Sequence, residues 1–249
     1  MSNQMQAKVA LVTGSGRNIG RAIALALAAS GTAVAVNVRS NASEGEAVAG
    51  EVAAAGSRAI LCVADVTDRA AVEAMMARID AEFGRLDTLV NNAALRDEAP
   101  FDQLSHAAWR QALDVCLDGA FHCSQAALPL LRASDGASII NIGGLTAHTG
   151  ASHRAHVVTA KAGLVGLTRA LAHELSPQGI TVNCIAPGMM DTKRQSGTSP
   201  HHHAKHSPLT GRRGTPEELA QAVLWLAGPG GRFVTGQVIH INGGTYLGG

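Results

Sequence analysis

Seven short runs of β-branched and aliphatic residues, most of them separated by Ala- and Leu-rich stretches of helical character, constrain this chain more than any other feature. The runs are Val9–Val12, Ala33–Val38, Ala59–Val63, Leu86–Val90, Ser138–Ile142, Ile180–Ile185 and Val238–Ile241. Strands that alternate with helices predict parallel pairing through helical crossovers. Thr88-Leu89-Val90 and Ile139-Ile140 are continuously apolar rather than alternating, as strands are when helices cover both faces of a sheet. The expected fold class is therefore α/β, a doubly wound, mostly parallel seven-stranded sheet. A hydrophobic fraction of 46% over 249 residues supports one buried core, so residues 1–249 are read as a single domain.

The first run leads into Thr13-Gly14-Ser15-Gly16-Arg17-Asn18-Ile19-Gly20 and then into an Ala-rich helix. A glycine-rich turn at that place aims backbone N–H groups and a helix N-terminus at an anion, which predicts a phosphate site. The spacing from Gly16 to Gly20 is one residue longer than the common G-x-G-x-x-G dinucleotide fingerprint allows. Charge at the end of the second run bears on which nucleotide would bind. An acidic residue there accepts the ribose hydroxyls of NAD, but this chain has Asn37-Val38-Arg39-Ser40. Arg39 and Arg17 suit a 2′-phosphate, and Ser40 and Asn41 add hydrogen bonds, so NADP(H) is the expected cofactor. The competing reading leaves both arginines as solvated surface residues.

The turn resembles the TGxxxGxG segment of the short-chain dehydrogenase/reductase family, with Thr13, Gly14 and Gly20 in place and Asn18 where the middle glycine usually stands. Asparagine tolerates φ > 0 better than most residues, so the turn can survive that replacement. The resemblance continues in order through Asp65-Val66, Asn91-Asn92-Ala93-Ala94, Lys161-Ala162-Gly163, Pro187-Gly188 with Thr192, and Gly236-Gln237 with Asn242-Gly243-Gly244. It implies a Rossmann-like domain. It also implies that Gly14, Ile19 and Gly20 belong to the phosphate turn, that Asp65 and Val66 flank the adenine, and that Asn91 and Ala93 line the ribose and nicotinamide path. Thr192 would meet the carboxamide, Pro187 and Gly188 would belong to the cofactor site, and Lys161 would meet the nicotinamide ribose.

By the same resemblance, a Tyr-x-x-x-Lys pair on one helix face would carry the chemistry, the ammonium lowering the phenol's pKa. Lys161 matches the lysine, but four residues earlier stands Val157. The usual serine position falls on Gly144, preceded by Gly143, and the usual asparagine position on Cys116. No shift of register restores the pattern, because the only tyrosine is Tyr246. Three readings follow. One is an NADP(H)-dependent oxidoreductase that reduces a carbonyl or imine of a small molecule and takes its proton elsewhere. His148, His153 and His156 are then candidate acids, His156 first because it adjoins the vacant tyrosine position, with Thr146 or Thr159 as an orienting hydroxyl. The second is an NADP(H)-binding sensor or inactive partner, and the third is non-redox chemistry on the same fold.

The rest of the chain adds smaller expectations. Gly188 to Gly214, rich in Gly, Ser, Thr, Pro and basic residues, follows a strand's carboxyl end and reads as a lid over a substrate or as a variable surface loop. Arg96, Arg154, Lys193 and Arg194 could line a pocket for an acidic substrate, or be ordinary solvated charge. His201-His202-His203 with His206 reads as adventitious rather than functional metal binding, so no metal is expected. Cys62, Cys116, Cys123 and Cys184 lack a CxxC pair and read as buried thiols of a reducing compartment. With 20 Lys plus Arg against 19 Asp plus Glu, no charge footprint for nucleic acid or a membrane exists, and no run reaches the ~18 apolar residues of a span. A small-molecule substrate and a cytoplasmic location are expected. The apolar faces of Phe101–Leu131 and Arg154–Leu175 exceed what a monomer covers, and the family resemblance implies a homotetramer.

Overall fold

The computed structural model describes residues 7–192 and 207–248. Seven strands, β1 (Val9–Val12), β2 (Ala33–Val38), β3 (Ala59–Val63), β4 (Thr88–Asn91), β5 (Ser138–Ile142), β6 (Thr181–Pro187) and β7 (Val238–Ile241), form one sheet in the order β3-β2-β1-β4-β5-β6-β7. Every pairing is parallel, from Val9 opposite Ala33 to Pro187 opposite Ile241. The expected Rossmann-like sheet is present, and it is wholly rather than mostly parallel.

The two-residue side-chain period of each strand divides the core into two layers. Val9 and Leu11 face α3 (Arg69–Phe83), α5 (Gly119–Arg132) and α7 (Ala155–Leu175), where Ile79, Leu131 and Leu175 pack with Leu89 and Ile139. Ala10 and Val12 face α1 (Asn18–Ala29), α2 (Ala42–Ala54) and α8 (Pro216–Ala227), where Ile23, Val52 and Val223 pack with Val90 and Ile140. Continuous apolar strands are the result of two covered faces, as the sequence implies.

The bounds of two strands depart from expectation. The fourth strand starts at Thr88 rather than Leu86, because Arg85 and Asp87 are occupied with each other beneath it. The sixth runs to Pro187 instead of ending at Ile185. The segment Phe101–Leu131 is divided into a short 3-10 turn (Phe101–Gln103), α4 (His106–Leu113), a π-helical turn (Asp114–Asp118) and α5. A four-residue helix, α6 (Thr146–Thr149), follows β5.

Asp87 ties the base of the sheet together. Its buried carboxylate accepts hydrogen bonds from Val9 N–H at 2.8 Å, Arg85 at 2.6 and 2.9 Å, and Ser134 Oγ at 2.5 Å. Burial pushes its pKa up, but the bonds from Arg85, Ser134 and Val9 outweigh it and hold the group below its ordinary value. Because the folded pKa is the lower one, the carboxylate's stabilisation is complete above the unfolded value and is lost as pH falls through the folded one. Asp87→Asn is expected to cost about 2 kcal/mol at neutral pH. Chemical denaturation at pH 7 and again in acid checks this, since the gap between wild type and variant should close in acid.

Among the described residues no helix is long and apolar enough to cross a membrane, and no group of three or more His, Cys, Asp or Glu stands together to hold a metal. All four cysteines are free and buried. Lys193, Arg194, the histidines at 201–203 and 206, and the middle of the expected lid lie outside the described residues. The two ends of that segment are pinned together. Asp191 N–H donates to Gly214 O at 2.7 Å and Gly214 N–H to Met189 O at 3.0 Å, closing a parallel bridge between Met190 and Gly214.

Candidate active site

From β1 the chain winds toward β2 and β3, and from β4 toward the opposite edge, so the carboxyl ends of β1 and β4 flank a switch in direction where the sheet opens a crevice. The glycine turn occupies that crevice. Gly14 adopts φ 62° and Asn18 φ 50°, so asparagine does take the left-handed conformation that its position requires. Gly20 has no room for a side chain: a Cβ there would collide with Gly14 O and lie 2.6 Å from Asn92 Nδ2. α1 begins with no side-chain cap at Arg17, which leaves its first N–H groups for a ligand.

Two polar residues hold this turn in roles that sequence reasoning did not assign. Asn37, buried at the end of β2, accepts from Gly14 N–H at 3.2 Å and donates to Cys62 O and Ala64 O at 3.1 and 3.0 Å. Thr13 Oγ1 accepts from Asn92 N–H at 2.9 Å and Ala93 N–H at 3.0 Å, joining the loops after β1 and β4. The signal for Asn37 was available, as a lone amide in an otherwise apolar strand has to find partners.

A groove of about 420 Å³ runs over the turn. It brings together Gly14, Arg17, Asn18, Ile19 and Gly20 with Arg39, Ser40 and Asn41 after β2, Asp65 and Val66 after β3, Ala93 after β4, and Lys161 and Pro187. Asn91 is placed differently: its side chain turns into the core and donates to Ser124 Oγ at 3.1 Å and Asn141 Oδ1 at 2.9 Å, and Asn92 lines the groove instead. Glu44, in the first turn of α2, also lines the groove near Gly16, so two arginines face one carboxylate at that end.

The groove meets a smaller cavity of about 110 Å³, and Ile19, Arg96, Gly143, Lys161 and Pro187 line both. Gly144, Thr146, Arg154, Val157, Gly188 and Thr192 complete its wall together with Leu145, Met189 and Met190. Lys161 is buried and donates to Ile142 O at 2.5 Å. Burial holds its pKa below the ordinary lysine value; the thiols of Cys116 and Cys184 oppose that, while the charges of Arg96 and Arg154 add to it. Among the described residues, a Cβ added at Gly144 would meet nothing nearer than Lys161 Cγ at 4.0 Å. Cys116, in the π-helical turn, accepts from Leu95 N–H at 3.4 Å and steadies the loop after β4.

The histidines are distributed otherwise. His156 is buried behind the wall rather than lining the cavity, and its Nδ1 lacks a hydrogen-bond partner. Burial and the charge of Arg154 lower its pKa, against the opposing pull of Asp97. His148 packs edge-on against His240 with ring centroids 4.6 Å apart and stacks on Tyr246 at 5.6 Å, so the only tyrosine of the chain belongs to that cluster. His153 and Thr159 are exposed. A larger hollow of about 860 Å³ lies at the other end of the sheet, around Gly136, Thr181 and Phe233, away from the glycine turn and Lys161.

Residues 14–246 match the family model described as enoyl-(acyl carrier protein) reductase. The chain is 38% identical over 244 residues to the 3-oxoacyl-[acyl-carrier-protein] reductase FabG of Staphylococcus aureus, a match that covers 96% of this chain and 98% of that protein. It is also 38% identical, over 245 residues and 98% of each chain, to subunit BbsD of (2S)-[(R)-hydroxy(phenyl)methyl]succinyl-CoA dehydrogenase from Thauera aromatica. Among solved structures, a dehydrogenase/reductase from Sinorhizobium meliloti superposes with a TM-score of 0.92 at 37% identity, covering 98% of this chain and 96% of that one. A short chain dehydrogenase from Burkholderia cenocepacia in complex with NADP superposes at 0.91 with 36% identity, covering 98% and 99%.

Proposed function

The chain belongs to the short-chain dehydrogenase/reductase family, and from that premise we propose that it is an NADP(H)-dependent reductase of a small carbonyl compound whose proton donor is Lys161. The observation that carries this reading is the meeting of the nucleotide groove and the small cavity at one buried lysine. The groove fits the cofactor: the uncapped start of α1 and the side-chain-free approach at Gly20 suit a pyrophosphate, and Arg17, Arg39 and Ser40 suit a 2′-phosphate. The similar protein from Burkholderia cenocepacia was solved with NADP, which supports the same choice.

When bound, the reduced nicotinamide supplies a hydride to the carbonyl carbon. The chain's own task is to hold the substrate oxygen and give it a proton. Where the family keeps a serine and a tyrosine, this cavity has Gly144 and Val157, neither of which carries a titratable group. An ammonium whose pKa is depressed by burial is a stronger acid than an exposed lysine, and Lys161 faces the cavity without a phenol between them. His156 is the second candidate, on the strength of its unpartnered Nδ1. An imidazole held neutral accepts a proton more readily than it gives one, so it suits the oxidative direction better. A carbonyl needs the proton that Lys161 supplies and an iminium does not, so a carbonyl is favoured over an imine.

The Thauera relative is a subunit of its dehydrogenase, which supports a second reading as the binding partner in an assembly. Exposed Phe121 on α5 and Trp225 on α8 fit a homo-oligomer, a tetramer by family resemblance, and buried free thiols fit the cytoplasm. Titration with NADPH and NADH by cofactor fluorescence, followed by ketones, aldehydes and cyclic imines with absorbance monitoring, tests the main reading. NADPH binding with turnover of a carbonyl is the expected result, and binding without any turnover would favour the partner reading. Arg39→Glu is expected to weaken NADPH by about 100-fold and to leave NADH within about threefold. Equal weakening of both would remove Arg39 from 2′-phosphate recognition.

A further inference from the structure

We infer that Glu44 sets how sharply this chain separates NADP(H) from NAD(H): its carboxylate opposes a 2′-phosphate and accepts the 2′-hydroxyl of NAD(H), so the groove takes both cofactors and prefers NADP(H) only modestly. This rests on the reading of the groove as a dinucleotide site with its 2′ end at Arg39. Glu44 lines that end together with Arg17, Arg39, Ser40 and Asn41. The arginines and the short polar side chains suit a phosphate dianion, and a carboxylate in the same wall does not. The first turn of a helix favours an acid wherever its side chain points, so the start of α2 accounts for the residue type. It does not account for where that acid is seated.

Two glycines bring Glu44 against the phosphate turn. A Cβ at Gly45 would lie 2.3 Å from Leu61 Cδ1 and 3.2 Å from both methyls of Val38, so α2 settles onto β2 and β3 as closely as bare backbone allows. A Cβ at Gly16 would lie 2.9 Å from Val38 Cγ1, 3.3 Å from Glu44 Cβ and 3.4 Å from Glu44 Oε2, so the carboxylate rests over the middle of the turn. Asn41 fixes the backbone there. Its side chain caps α2, accepting from Glu44 N–H at 3.4 Å and from Ser43 Oγ at 2.9 Å. Glu46, two residues further on, is exposed and does not line the groove.

A carboxylate so placed acts on the two cofactors in opposite directions. The 2′-phosphate carries about two negative charges, and Glu44 both repels it and competes with it for the guanidinium groups of Arg17 and Arg39. In NAD(H) the 2′ position is a neutral hydroxyl, which donates to a carboxylate in a charge-assisted bond. An acidic residue at the end of the second strand gives that service in NAD-binding folds. Here Arg39 and Ser40 follow β2, and Glu44 lines the same end of the groove from α2. Both signs of charge therefore share one subsite, which narrows the difference between the cofactors.

Nucleotides without the nicotinamide test this apart from catalysis. 2′-Phospho-ADP-ribose and ADP-ribose are titrated calorimetrically into the unaltered protein, into Glu44→Gln and Glu44→Lys, and into Glu46→Gln, which removes the same charge outside the groove. The unaltered protein is expected to prefer the phosphorylated ligand by only about tenfold. Glu44→Gln should tighten that ligand by about tenfold and weaken ADP-ribose by about fivefold, with a larger change of the same sign in Glu44→Lys. The gain should shrink as salt is raised toward about 1 M. Glu46→Gln should leave the ratio of the two affinities within about twofold. Equal effects on both ligands in Glu44→Gln, or an equal shift of the ratio in Glu46→Gln, would overturn the assignment. So would a preference of about 10³-fold in the unaltered protein. Failure of both ligands to bind it would overturn the dinucleotide reading of the groove itself, a result distinct from binding whose ratio ignores Glu44.

Discussion

Lys161→Met is expected to lower reductive turnover by about 10³-fold while leaving the folded protein as stable as before or more so. The two effects have one cause. The ammonium is buried and donates to Ile142 O, and Arg96 and Arg154 line the same cavity. An unbranched apolar chain of similar length removes the desolvation cost and the proton donor together. The pH dependence gives a sharper signature. As a donor, Lys161 works only while protonated, so reductive kcat/KM should fall as pH rises through its depressed pKa, below the ordinary lysine value. Stability moves the other way. Between the folded and unfolded pKa values the unfolded chain binds more protons, so unfolding free energy rises with pH across that window, and the methionine variant should lack this rise. Rate profiles and thermal unfolding over the same pH range read both. A variant that keeps its turnover within about threefold would transfer the proton to another group, and His156→Ala would then be decisive.

The scaffold was legible in the sequence because the physics that sets it is local. Each strand is a short run whose apolar continuity follows from cover on both faces, and Gly14, Asn18 and Gly20 are fixed by backbone geometry that few other residues adopt. The strand starting at Thr88 was misplaced by two residues because Leu86 is as apolar as a strand residue, and only the long-range partners of Asp87, Val9 and Ser134, show that the chain is engaged elsewhere. The division of 101–131 by a π-helical turn is equally invisible, since nothing in Asp114-Val115-Cys116-Leu117-Asp118 breaks helical periodicity. The composition of the cavity was harder still. Arg96 and Arg154 are 58 positions apart, and their convergence depends on the bond from Ala99 to His153. Sequence could name them as candidates; only the fold distinguishes a buried guanidinium from a solvated one. The placement of His156 behind Val157 is a matter of about 100° of helical rotation, which spacing alone does not orient toward the cofactor.

The double variant Gly144→Ser/Val157→Tyr asks whether the missing pair is a loss or a specialisation. Among the described residues, a Cβ at Gly144 would meet only Lys161 Cγ at 4.0 Å, whereas one at Gly143 would approach Cys184 Sγ to 2.7 Å. A phenol at 157 would stand four residues before Lys161 on α7, so the ammonium and both arginines would favour its anion and strengthen it as an acid. Reduction of a neutral ketone is therefore expected to rise by about 10²-fold. The same phenol takes up volume in a cavity of about 110 Å³, so reduction of a bulkier ketone should fall. Opposite changes for the two substrate classes, measured as kcat/KM on a small and on a bulky ketone, would mean that Gly144 and Val157 make room for a larger substrate. A gain for both classes would mean that the cavity has lost an acid and gained nothing from it. No gain for either, with NADPH binding intact, would place the divergence in the scaffold itself, at the π-helical turn where Cys116 holds the loop after β4.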